Sequence, residues 1–132
     1  MSQKKNKKSS PRIKIIQKIY GSLFNPDEKV TYPKSQYRKY IKDVVSGTLE
    51  RSELLEETIR KYLDQDINLE KTDKLLKIIL FSAVFELMFK HNTPKNVVIS
   101  EYVRASEFFL EKAQIRYLNA ILDKLSKFIR NS

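Results

Sequence analysis

Cysteine is absent from this 132-residue chain. That excludes disulfides and thiolate metal sites, and it is compatible with a reducing compartment. Glycine occurs only twice and proline four times, too few for an all-β chain built on many tight turns. With Gly21 and Gly47 as the only glycines, no Gly-rich phosphate loop can be built. No apolar run reaches the roughly 20 residues of a membrane span. The longest candidate, Lys74 to Phe89, is interrupted by Lys77, Ser82 and Glu86. The opening residues are charged and polar with no apolar segment behind them, so no signal peptide is expected and the cytoplasm is the expected location. No internal repeat of solenoid period is present.

What is there points to helices. Leu, Ile, Lys and Glu dominate long stretches of the chain. The length suits one domain able to bury about two-thirds of its unfolded surface. Lys74 to Phe89 has twelve apolar residues in sixteen, and they do not keep to one side. Such a helix is buried on most faces, so it is expected to be the hub of an all-α fold. Before it, Ser10-Pro11 reads as an N-cap and first turn, opening a helix to about Phe24. Its expected buried stripe is Ile13, Ile16, Ile19, Tyr20 and Leu23, which leaves Arg12, Lys14 and Lys18 as a wet basic flank. Asn25-Pro26-Asp27 breaks this helix. Further helices are expected over 35–46, with Gly47 as a bend or C-cap, and over 48–63. The hub helix begins near Glu70 to Asp73, with Thr72 as a candidate cap. Beyond it, Thr93-Pro94 opens a helix to about Phe109, and the last helix covers Ala113 to Ile129.

The formal net charge is +10, and its placement is uneven. Residues 1–18 hold Lys4, Lys5, Lys7, Lys8, Arg12, Lys14 and Lys18 and no acid. Residues 46–70 hold seven acids against three cations. A basic N-terminal arm over 1–9, disordered in isolation, followed by one helical domain over 10–132, is the expected organisation. The arm suits a polyanion, most often nucleic acid, or else serves as a solubilising tail.

No catalytic constellation is found, and neither a cofactor nor a metal is implied. His91 stands alone at a helix end, and the Glu56-Glu57 pair lacks calcium-loop spacing. Glu86 is the one acid in the apolar stretch. It either bonds to a neighbouring helix or partner protein, or is a functional group with a perturbed pKa. Asn119 has poor helix propensity and either bonds across to another helix or offers its amide to a base or partner. Tyr20, Phe81 and Tyr117 either stack on unpaired bases or belong to the core.

The second half carries a more specific pattern. Phe85-Glu86-Leu87, then Thr93-Pro94, then Val97-Val98-Ile99-Ser100-Glu101, then Tyr117-Leu118-Asn119-Ala120-Ile121-Leu122-Asp123-Lys124-Leu125 resembles the NusB family of bacterial transcription antitermination factors. In the first helix Arg12, Gln17 and Tyr20 match that family's Arg-x-x-x-x-Gln-x-x-Tyr pattern. The resemblance covers residues 11 to about 130. It implies an all-α fold of six to seven helices in two packed subdomains, and no enzymatic activity. It also implies binding of boxA-like nascent RNA together with the ribosomal small-subunit protein NusE, in an antitermination complex on RNA polymerase at ribosomal RNA operons. A homodimer stays open.

Carried over, Lys7, Lys8, Arg12, Lys14, Gln17, Lys18 and Tyr20 form the RNA side of the first helix. Tyr117 and Asn119 form its last-helix side, and Glu86 falls nearer the protein partner. Departures from the family pattern occur at Phe81, Lys95, Ser100, Ala113 and Ala120. Lys7 and Lys8 replace arginines and so lack the bidentate fork of guanidinium. The alternatives are a protein-interaction module using the acidic 46–70 segment, or a helical domain related to those fused to RNA methyltransferases.

Overall fold

Residues 10–130 are described by the computed structural model. They form six α-helices and no strand: α1 (Pro11–Phe24), α2 (Arg38–Glu50), α3 (Ser52–Leu63), α4 (Lys74–Phe89), α5 (Lys95–Ser106) and α6 (Lys112–Arg130). A single 3-10 turn, Leu69–Lys71, precedes α4.

The apolar run behaves as its composition demands. Every residue of α4 from Ile78 to Leu87 is buried except Phe81, which is half-buried. No side of the helix is left to water, and α4 packs against each of the other five helices. α1 pairs with α2 on one part of its surface, and α3 contacts α6 on another. α5 reaches α1, α4 and α6. The start of α4 is fixed by Asp73, whose Oδ2 accepts from the backbone N–H of Leu75 at 3.0 Å and of Leu76 at 3.2 Å. Such a cap is worth about 1 kcal/mol, and Asp73 takes the place expected for Thr72. At the other end Arg130 Nε donates to the Leu87 carbonyl at 2.6 Å, and its Nη2 donates to those of Glu86 and Lys90. A cation there satisfies the Leu87 carbonyl left over by α4 and complements the helix dipole.

Gly47 does not end a helix. It lies inside α2 and is buried, and an added Cβ would stand 2.2 Å from Phe85 Cζ. The missing side chain lets the aromatic ring of α4 rest directly on the α2 backbone. The bend expected at Gly47 comes at Arg51, between α2 and α3. α2 starts at Arg38 because Ser35 to Tyr37 form a turn in which Ser35 Oγ accepts from the Tyr37 N–H. α5 ends at Ser106, short of Phe109, and its N-cap is Pro94 in place of Thr93.

Candidate nucleic-acid interface

α1 is a fourteen-residue helix with Pro11 in its first turn. Its inward face is Arg12, Ile15, Ile16 and Ile19, an i, i+3, i+4, i+7 set, with Ile13 beside it. Arg12 is only 8 % exposed. This corrects the sequence expectation that placed it on the wet flank. The outer positions are Lys14 and Gln17, both exposed, and Lys18, half-buried. Tyr20 and Leu23 were expected in the stripe but are exposed at 39 % and 48 %. Tyr20 leans on Phe24, with ring centroids 4.5 Å apart.

Arg12 is buried because Glu86 is. Arg12 Nη2 donates to Glu86 Oε1 at 2.7 Å, and Nε donates to Oε2 at 3.2 Å. The Tyr40 hydroxyl accepts from Arg12 Nη2 and donates to Glu86 Oε1. The Tyr102 hydroxyl donates to Glu86 Oε2. The Arg12 guanidinium also lies 5.0 Å from the Tyr40 ring centroid and 5.7 Å from that of Tyr102. One carboxylate thus gathers α1, α2 and α5 onto α4. Desolvating a charge costs several kcal/mol unless it is paired and its hydrogen-bonding sites are filled; here both conditions hold.

Burial by itself pulls the Arg12 pKa down, but the hydrogen bond and charge of Glu86 outweigh it and the net shift is upward. Burial, then the Glu86 charge, pushes both the Tyr40 and Tyr102 phenols well above their ordinary value. Glu86 itself has no exposed surface. Its hydrogen bonds run to neighbouring helices, one of the two alternatives that the sequence leaves open.

Outside this locked face, α1 borders two clefts. The first, of about 160 Å³, lies between α1 and the segment leading into α2, and is lined by Lys14, Lys18, Tyr32, Pro33, Arg38 and Ile41, among others. No acid lines it, and Lys14, Lys18 and Arg38 have no ion-pair partner among the described residues. The second, of about 240 Å³, shares Lys18 and is lined also by Gln17, Gly21, Asn25, Glu28 and Lys29. Tyr32, Arg38 and Lys29 were missed in the sequence. They lie beyond the helix breaker Asn25-Pro26, and no periodicity links that segment to α1.

Lys7 and Lys8 lie outside the described residues. Tyr117 is exposed, and its hydroxyl donates to the Asp66 carbonyl at 2.9 Å. Burial, then the Asp66 charge, raises its pKa. Asn119 is also exposed on α6, but two positions along a helix place it about 200° around the axis from Tyr117. These two flank the buried stripe of α6 on opposite sides. Phe81, where the family pattern has Arg, is half-buried and lines a separate apolar cavity of about 390 Å³ with Ile19, Leu23 and Ile78. No group of three His, Asp or Glu among the described residues could hold a metal, and none of their helices is long and apolar enough to cross a membrane.

The model of the NusB family matches residues 6–127 of the chain. The chain belongs to the NusB family. The transcription antitermination protein NusB of Mesorhizobium japonicum is 32% identical to this NusB-family chain over 92 residues, which is 70% of this chain and 59% of that protein. The Sinorhizobium fredii protein of the same name is 31% identical over 100 residues, 76% of this chain and 62% of its own length. The alignments thus span about six-tenths of the length of these curated relatives. A solved structure of T. maritima NusB superposes with a TM-score of 0.75 at 21% identity, covering 89% of both chains, and so shares the all-helical fold.

Proposed function

We propose that this NusB-family chain acts in the cytoplasm as a transcription antitermination factor without catalytic activity. In this reading it binds single-stranded, boxA-like nascent RNA together with the ribosomal small-subunit protein NusE, within an antitermination complex on RNA polymerase that supports ribosomal RNA transcription. The observation that carries this reading is the outer flank of α1. Lys14 and Lys18 are without an acidic partner among the described residues and stand beside Gln17, on a helix whose inner side is clamped by Arg12 and Glu86. Free cations on a fixed rod favour phosphate binding with a salt-dependent affinity, about 0.7 in the salt slope for each single-strand phosphate neutralised.

A gel shift with boxA-like and scrambled RNA, with and without NusE, tests the reading. The boxA-like RNA should shift at lower protein concentration, and NusE should widen the gap. Lys14→Glu with Lys18→Glu should weaken the shift. Equal binding of both RNAs with NusE present would overturn sequence-specific antitermination and favour a general interaction module.

A further inference from the structure

The first cleft beside α1 has the composition of a site for one nucleotide of an unpaired strand. Lys14 and Lys18 come from α1, Arg38 opens α2, and Tyr32, Pro33 and Ile41 supply apolar surface between them. At about 160 Å³ it is smaller than the roughly 300–1,000 Å³ clefts that enclose whole drug-sized ligands. Cations around an aromatic and apolar floor suit a group that is planar and apolar on its face and anionic on its flank. A base joined to its phosphate has that chemistry, and bases stack on aromatic side chains irrespective of sequence. The second cleft sets Glu28 against Lys18 and Lys29 and has no aromatic residue in its lining, so it attracts an anion less and offers a base no ring to stack on.

We propose that the α1–α2 connection is the second wall of the nucleic-acid site, with Tyr32 packing on an unpaired base while Arg38, Lys14 and Lys18 hold the adjoining phosphates. This rests on the RNA-binding reading above and extends the site off α1. Arg38 has a fork that can grip a phosphate by two N–H groups, which neither lysine can do. A duplex keeps its bases stacked on one another, so it cannot place a base on Tyr32 without opening.

Fluorescence anisotropy of the full chain with labelled boxA-like single-stranded RNA, and with the same strand annealed to its complement, tests the proposal. Arg38→Glu and Tyr32→Ala should each lower single-strand affinity by about fivefold or more. Tyr32→Phe should keep it, and annealing should reduce it. Lys61→Glu is the control: it makes the same change in net charge at an exposed position of α3. Arg38→Glu should also reduce the salt slope by about 0.7 for each phosphate lost. Arg38 is exposed, so its reversal decides the matter even where Tyr32→Ala lowers the melting temperature. If Lys14→Glu weakens binding while Arg38→Glu behaves like Lys61→Glu, the second wall falls and the α1 face stands. Equal affinity for the duplex removes the base-stacking role of Tyr32. If the wild-type chain binds neither RNA, the RNA-binding reading falls with it.

Discussion

Arg12 and Lys14 stand two residues apart on one helix and meet opposite environments. Arg12 points into the domain, where two oxygens of Glu86 and the Tyr40 hydroxyl accept from it and the Tyr102 ring lies beside it. Lys14 points out, with no acid facing it among the described residues. Both add one unit to the net charge, but only one adds to the external field. A formal charge of +10 therefore overstates what a passing polyanion meets at α1 and understates how firmly α1 is held. The inner cation fixes the rod, and the outer cations use it.

The contrast can be broken most sharply at its buried end. Glu86→Ala leaves Arg12 buried without its counter-charge, and should cost about 3–5 kcal/mol in urea unfolding. Combining Arg12→Met and Glu86→Leu with Tyr40→Phe and Tyr102→Phe should recover most of that loss, because matched apolar side chains remove both desolvation costs and no hydroxyl is left without its acceptor. A combined variant as unstable as the single one would mean that the pair's charge, and not its packing, is what α1 requires.

Tyr102→Phe comes next. It removes one donor to a charged acceptor and should cost about 1.5–3 kcal/mol at neutral pH. It should also change the alkaline behaviour. The Tyr40 and Tyr102 phenols are raised in the folded state, whereas an unfolded tyrosine titrates near about 10. Below that pH both states keep their protons and the contribution of these phenols is complete. Above it the unfolded chain releases protons that the folded chain retains, so stability falls as pH rises, by up to about 1.4 kcal/mol per pH unit for each phenol. Tyr102→Phe should roughly halve that slope, and an unchanged slope would assign the alkaline loss to other groups. The smallest effect belongs to the outer end. Lys14→Glu with Lys18→Glu should leave unfolding stability within about 0.5 kcal/mol while weakening RNA binding. A loss approaching that of Glu86→Ala would make these lysines structural.

The sequence displays some of these features and hides others for physical reasons. The bounds of α1 and α4 were readable, since Ser10-Pro11 and the long, mostly apolar run are local signals. The buried stripe of α1 was read in part: Ile13, Ile16 and Ile19 are buried as expected, while Tyr20 and Leu23 are exposed. Choosing Ile13, Ile16 and Ile19 leaves Ile15 unassigned, whereas 12, 15, 16 and 19 take up three isoleucines at helical spacing and put Arg12 at their head. An acid inside an apolar helix calls for a cation, and Arg12 answers it. Nothing local names that cation, because the two lie 74 positions apart. Gly47 had the ordinary look of a helix end, and only the Phe85 ring arriving from α4 explains it. On the outer surface, the lysines of α1 were legible from periodicity, and Gln17 from the family resemblance alone. Tyr32 and Arg38 were not, since the cleft they line is made by a turn whose path the sequence leaves open.

The separation of Arg12 from Glu86 also orders events in time. A ribosome working at about 5–20 residues per second needs about 4–15 seconds to add the 74 residues between them. Throughout that interval α1 and α2 lack both the helix they pack on and the carboxylate that neutralises Arg12. The nascent chain therefore carries its full positive charge on an unanchored segment, and shifts one cation from solvent to core only when α4 emerges. Synthesis of the second half of the chain is thus what sets the basic face in its final shape.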